Sequence, residues 1–438
     1  MSSSSKPSLR TAVIAASLAF ELLLSCAYIF FISPLFQYAG FTYAPPGIWR
    51  MIVIHALALA PACWLPGTIE KPSQVVEWIL YLSVIVPAVI LPQYVLSNQV
   101  FPLLELGVTL VVASAMLHLG SKIAVPDLRL RGASQNMLPL AVSAAAVLLA
   151  IAISIKVGFN FSLVSLAHVY RLRSQFTEQA EGSSFLAYAV PWLGEVCAPF
   201  LLAVGIFRRK WLLAMAGIGC SLLVYSITGF KSVLLAPVLI FGVKKVLEFG
   251  KQKSGLLFPL AVCAVMLVCL AVDAVVGLPL MNSLFVHRLL IMPGVVTGYY
   301  FDFFSHHPFD MMSHSILRAF IQSPYAEPAP FIIGARYFMS AKADVNANIW
   351  ATAYSDFGLA GIIVFSFLLA AVLRLYDLLT RALDLRLACM LIVFPAMILA
   401  NTGLSTFLLT HGFLFTLLLV ALLPTSAPQA MAARSSNA

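Results

Sequence analysis

Two stretches of this chain gather the residue types that can do chemistry. The first, VYRLRSQFTEQAEGSS, holds Arg171 and Arg173 beside Glu178 and Glu181. The second, from about 278 to 356, holds Arg288, Arg318, Arg336 and Lys342 with Asp302, Asp310, Asp344 and Asp356. It also holds His287, His306, His307 and His314. Lys231 stands apart, in a TGFKS turn. Guanidinium groups offer planar paired donors that match phosphate oxygens, so Arg171, Arg173, Arg288 and Lys231 are candidates for binding a diphosphate. Imidazole titrates near neutral pH, which makes His306 and His307 candidates for a general base, with Asp302 and Asp310 as carboxylate rivals. The bland alternative is that these charges solvate loops and pair with one another, since an exposed pair contributes only about 0–1 kcal/mol. Arg171 and Arg288 stand out against it, because each lies in aromatic and apolar surroundings (HVYRLR, FVHRLLIMPG). No spaced acid–His set points to a metal. The seven cysteines lie in apolar runs without a CxxC pair, so neither a zinc site nor a disulfide framework is expected.

The elements that must position these residues are membrane helices. Of 438 residues, 61% are hydrophobic and 10% charged, against about 45–50% and 25% in a soluble domain. A span needs about 20 apolar residues, and twelve windows qualify: 11–33, 47–65, 75–95, 101–120, 137–157, 185–207, 211–229, 232–249, 255–277, 357–373, 387–402 and 404–423. The expected fold is therefore all-α and polytopic, a single transmembrane domain over 1–424 with a disordered tail over 425–438. The N-terminal basic segment and the apolar run after it read as a signal anchor that becomes the first helix.

Charge sets the orientation. With a cytoplasmic N-terminus, the even-numbered connections carry Lys71, then Lys122, Arg129 and Arg131, then Arg208, Arg209 and Lys210, then Lys244, Lys245, Lys251 and Lys253, and finally Arg374, Arg381 and Arg386. The positive-inside rule holds at each, and both termini are expected in the cytoplasm. The formal charge of +9 is thereby explained by topology, not by nucleic acid. The two chemistry-bearing stretches become long loops on the far side, about 158–184 and 278–356. Inside the spans, Glu21, Glu105, Glu195 and Asp273 suggest either a relay or polar partners on neighbouring helices. His55, His118 and His411 read as packing residues.

The chain resembles the Wzy-type O-antigen polymerases, also called oligosaccharide repeat-unit polymerases. Four stretches carry the likeness. RLRSQFTEQAEG sets Arg171 and Gly182 with ten residues between them; TGFKS opens a helix; HRLLIMPGVVTGYYFDFF joins an Arg to a Tyr-rich run; and FIIGARYFMSAKADVNANIWATAYSDFGLAGIIV leads an Asn-containing loop into a D-F-G-x-x-G helix start. Arg288 falls one residue short of that spacing before Gly298, and His287 keeps it, with ten residues between. The resemblance implies a cofactor-free, metal- and nucleotide-independent glycosyltransferase of the bacterial inner membrane. It would join polyprenyl-diphosphate-linked oligosaccharide units on the periplasmic face. Tyr299, Tyr300, Asn348 and Tyr354 would contact sugar, and membrane lipid, a chain-length regulator and a flippase are the implied partners. Two alternatives remain open: a transporter of lipid-linked oligosaccharide, and a ligase-like glycan transferase.

Overall fold

The computed structural model describes residues 8–123, 137–158, 176 and 182–424. Every one of the twelve expected windows falls on a helix. In chain order these are α1 Leu9–Ala39, α2 Ile48–Cys63, α3 Ser73–Val95, α4 Val100–Lys122, α5 Met137–Val157, α6 Ser184–Phe207, α7 Trp211–Thr228, α8 Ser232–Gly250 and α9 Leu257–Val276. Then follow α10 Asn282–Phe304, the short α11 Ala329–Tyr337, α12 Ile349–Thr380, α13 Leu385–Ile398 and α14 Leu404–Leu422. Among the described residues, ten helices are long and apolar enough to cross a bilayer; α2 and α13 are shorter apolar helices. The protein is a multi-pass helical membrane protein. Its cysteines are all free thiols.

One element departs from expectation. The segment 278–356 is not a loop throughout: it contains α10, itself of membrane-crossing length, and α11. The first connection, 158–184, and the tail, 425–438, lie almost wholly outside the described residues.

The bundle has one basic end. There Arg10 donates to the carbonyls of Ala62 (3.1 Å) and Leu65 (2.6 Å), and Lys71 donates to Ser121 O (2.5 Å). Ser73 donates through N (3.0 Å) and Oγ (2.7 Å) to Asp377, and Gly255 N donates to Gly67 O at 2.9 Å. Arg386 lies over the Phe207 ring, 5.8 Å from its centroid. These contacts bring the ends of α1, α2, α3, α4, α6, α9, α12 and α13 together, each where the sequence clusters its cations.

α3 is the hub, with 94% of its apolar window buried against 17% for α9. A polar seam joins it to α1. Ser17, Glu21, Ser25 and Tyr28 share one buried face of α1 at spacings of four, four and three. Tyr81 reaches Glu21 (3.5 Å), Tyr94 reaches Ser25 (3.1 Å), and Tyr28 donates to Thr42 O (2.7 Å). Lipid offers helices no hydrophobic reason to associate, so interhelical hydrogen bonds and close packing must hold them. Glu21 also meets His55 (3.3 Å), Glu77 meets His118 (3.0 Å) and Glu195 meets His411 (2.5 Å). Glu21, Glu77 and Glu195 thus have polar partners on neighbouring helices, supplied by His55, His118 and His411 respectively.

The position of α10 is set by small residues. Pro87 and Pro92 interrupt α3, which runs through a π turn at Tyr81–Ile85. Gly294 and Gly298 lie against those prolines so closely that a Cβ would sit 2.5 Å from the Pro87 carbonyl carbon and 2.6 Å from Pro92 Cβ. At the start of α10, Asp273 accepts from Met281 N, Asn282 N and Asn282 Nδ2, each at 2.8 Å. His287 stacks on Phe36, with ring centroids 4.3 Å apart, and Tyr299 donates to Gly40 O (2.7 Å). Pro87 lies midway along α3; the other partners belong to the end of the bundle away from the basic one.

Candidate functional site

The non-basic end carries two connected polar groups, both built by α10 and the loop after it. In the first, Asp302 near the end of α10 accepts from Tyr337 Oη (2.5 Å) and from Gln99 Nε2. Tyr337, closing α11, stacks on Tyr299 with centroids 4.4 Å apart. Burial first, and then the Asp302 carboxylate, push the Tyr337 phenol far above its usual range, so it stays a donor.

The turn that carries Gln99 also holds a cation the sequence reading passed over. Arg50 is 4% exposed; its Nε donates to Gln93 Oε1 (2.5 Å) and its Nη1 to Ser97 O (2.6 Å). Its Nη2 and the neighbouring Gln93 Nε2 are buried donors with no partner among the described residues. Buried donors are almost always satisfied, because each lost bond costs about 1–3 kcal/mol. Two of them on groups already bonded to each other form a place where an anionic oxygen would be held.

The second group follows α10. Asp310 Oδ1 accepts from Ser313 Oγ (2.9 Å), His314 Nδ1 (2.9 Å) and Ser323 Oγ (3.2 Å). Because Nδ1 donates to the carboxylate, His314 is held in the tautomer whose Nε2 can take a proton. The local backbone is unusual. Met311 (φ 51°) and Met312 (φ 58°) are consecutive left-handed residues that are not glycine, which costs about 1–2 kcal/mol each. The cause of their retention is a kink in α12. Phe357 and Gly358 leave helical geometry there, and Phe309 packs where a Gly358 Cβ would be, 2.8 Å from its Cζ. Just before the kink, Ser355 O accepts from Asp310 N (2.8 Å), Asp356 O from Met311 N (3.2 Å) and Asp356 Oδ1 from Met312 N (3.0 Å). Strain held in place by surrounding bonds is a frequent mark of a functional loop. Tyr325 joins the two groups, donating to Pro308 O (2.5 Å) and lying 6.1 Å from the Phe303 ring.

The other expected site residues are distributed as follows. His306 and His307 are exposed at the end of α10; their Nδ1 atoms donate to the carbonyls of Asp302 (2.9 Å) and Phe303 (2.8 Å), and His307 stacks on Phe303. Tyr300 is buried and donates to Val345 O (3.0 Å). Asn348 is wholly buried: Oδ1 caps α12 through Trp350 N and Ala351 N, and Nδ2 donates to Thr297 Oγ1 (2.6 Å). Its amide is taken up by the fold, so a sugar hydroxyl has no group on Asn348 left to bind. Tyr354 packs on Phe301, centroids 4.6 Å apart. Arg288 is exposed in the first half of α10, and Lys231 precedes α8 after the left-handed Gly229. Arg171 and Arg173 lie outside the described residues. No group of three potential metal ligands occurs among the described residues.

An all-helical bundle with the Arg50–Gln93 donors and the Asp310–His314 pair at one end defines a class, a multi-pass membrane protein with a polar site at that end. No protein-family model matches the sequence, and neither a curated protein nor a solved structure matches it.

Proposed function

We propose that this protein is a membrane glycan polymerase that joins polyprenyl-diphosphate-linked oligosaccharide units at the non-basic end of the bundle, on the periplasmic side of a bacterial inner membrane. The observation that carries the reading is the pairing, at that one end, of a buried unpartnered Arg50–Gln93 donor set with an Asp310–His314 pair. Transfer of a glycan between lipid carriers needs both. A donor set holds the diphosphate as its bond to the sugar breaks, and a base takes the proton of the attacking hydroxyl. The anomeric carbon of the growing glycan exchanges its bond to diphosphate oxygen for one to the acceptor oxygen. Arg171, Arg173, Arg288 and Lys231 remain proposed diphosphate ligands, and Asp302, His306 and His307 remain candidate acid–base groups beside His314. Tyr299, Tyr300 and Tyr354, buried in the fold, would support the sugar site from behind. Asp273 at the start of α10 and Gln99 near its close both belong to outer turns, which supports both ends of α10 lying on that side and keeps the charge alternation of the other helices intact.

The test is reconstitution in lipid with a lipid-linked repeat unit and no nucleotide, products being separated by size. A ladder of longer glycans is expected, and Arg50→Lys should reduce it about 10²-fold, the usual effect of losing a preorganised donor. Monomer unchanged in both leaflets would refute the reading.

A second reading, transport of the lipid-linked unit, is favoured by one feature. Glu195 lies in a π turn of α6 opposite the break in α14 at Leu409–Gly412, where His411 meets it. Ionisable groups at facing helix breaks are what a transporter would use. In the same vesicles this reading expects the unit to change leaflet without lengthening, and Glu195→Gln to stop it.

A further inference from the structure

The basic end contains a cavity of about 680 Å³ between the turn before α3, the end of α12 and the start of α13. That volume lies within the roughly 300–1,000 Å³ of ligand sites. Three cations line it, Lys71, Arg374 and Arg381, with the acids Glu70, Asp377 and Asp384.

Two of the acids are engaged in the fold, and Asp384 brings Arg386 as its own counter-charge. Asp377 accepts from Ser73 N (3.0 Å) and Oγ (2.7 Å). Asp384 caps α13 and is held by Arg386 through Nε (3.0 Å) and Nη2 (2.9 Å). Glu70 is exposed at the rim. Arg374 has only a loose contact with Asp377, 3.8 Å from Nη1, and its Nε is buried without a partner among the described residues. Lys71 gives one of its three N–H bonds to Ser121 O. Leu378 and Leu385 supply an apolar wall beside these donors.

We propose that this cavity binds an anionic phosphate group, either the phosphodiester of a phospholipid headgroup or free phosphate, at the end of the bundle opposite the transfer site. Basic recesses between helices recognise anionic headgroups in this way, and guanidinium donors match phosphate oxygens. The site is independent of the proposed transfer reaction and stands on its own geometry.

The test uses the full chain in nanodiscs of phosphatidylcholine, with phosphatidylglycerol or inorganic phosphate added, read by native mass spectrometry and by melting temperature. Wild-type protein should retain phosphatidylglycerol and melt higher in its presence. Arg374→Gln should cut retention about tenfold, one lost charge-assisted contact being worth roughly that factor. Glu70→Gln, at an exposed position, should raise retention, a change of opposite sign that misfolding cannot imitate. An equal rise in melting temperature with inorganic phosphate alone would assign the site to the free anion. No response to either phosphate source, or equal retention in all three proteins, would overturn the proposal.

Discussion

His314→Ala is expected to lower glycan extension by about 10²–10⁴-fold, the range lost when a positioned base is removed, while the protein still inserts and melts near the wild-type temperature. The expectation rests on where His314 stands. Its ring is held through Nδ1, by Asp310 (2.9 Å) and more loosely by Ser323 Oγ (3.3 Å), and is partly exposed, with 21% of the side chain open. It sits in a loop fixed by backbone bonds to Ser355 and Asp356, not by its own side chain. Losing the imidazole therefore removes the proton acceptor and leaves the loop in place. Asp310→Asn should fall in the same direction, since an amide can present its N–H to Nδ1 and select the wrong tautomer. Initial rates of ladder formation in reconstituted vesicles would measure both. If His314→Ala extends glycan at the wild-type rate, His306, His307 and Asp302 become the bases to examine.

Gly294→Leu is expected to destabilise the bundle by about 1–3 kcal/mol or more, the usual result of forcing methylenes into a packed core, and to abolish transfer with it. A Cβ at this position would lie 2.5 Å from backbone carbon of Pro87, which cannot swing away as a side-chain tip could. The helix must then separate from α3. Asp302, two turns further along α10, would lose its register with Gln99 and Tyr337. Gly219→Leu in α7 is the matching control, since nothing lies within 4 Å of a Cβ there. Thermal melts of both variants in detergent would separate the cases. A Gly294→Leu protein as stable as wild type would mean that α10 does not rest on α3 as described.

The helices were legible because hydropathy at the length of a bilayer is a strong signal, and the basic end was legible because cations cluster between the spans. α10 escaped for a physical reason. It is the least apolar of the ten membrane-length helices, diluted by Asn282, His287, Arg288 and Asp302, so it reads as loop. Arg50 escaped because a cation near the end of an apolar run resembles a topology signal; its place at the non-basic end was the clue available. Glu77 was hidden in the same way, two residues inside the expected third span. The Asp310–His314 pair has a helical spacing of four but lies in a turn, whose shape depends on the kink at Gly358 more than forty residues later. Asn348 was noticed for its chemistry, but its amide caps a helix, and sequence alone does not distinguish those uses.

The seam of Ser17, Glu21, Ser25 and Tyr28 has a consequence for how the chain is made. Synthesis runs from the N-terminus, so α1 leaves the ribosome before His55, Tyr81 and Tyr94 exist. A carboxylate with no partner is costly in lipid, about 2.5–3.5 kcal/mol on insertion scales. The first helix should therefore linger beside the translocon until α2 and α3 arrive, and enter the bilayer with them as a hairpin-like trio. Crosslinking of stalled nascent chains would show it: α1 should stay next to the translocon when the chain ends before α2 and move to lipid once α3 has emerged. Glu21→Leu should release it at the shorter length. Release of wild-type α1 at that length would mean the seam forms only after each helix has entered alone.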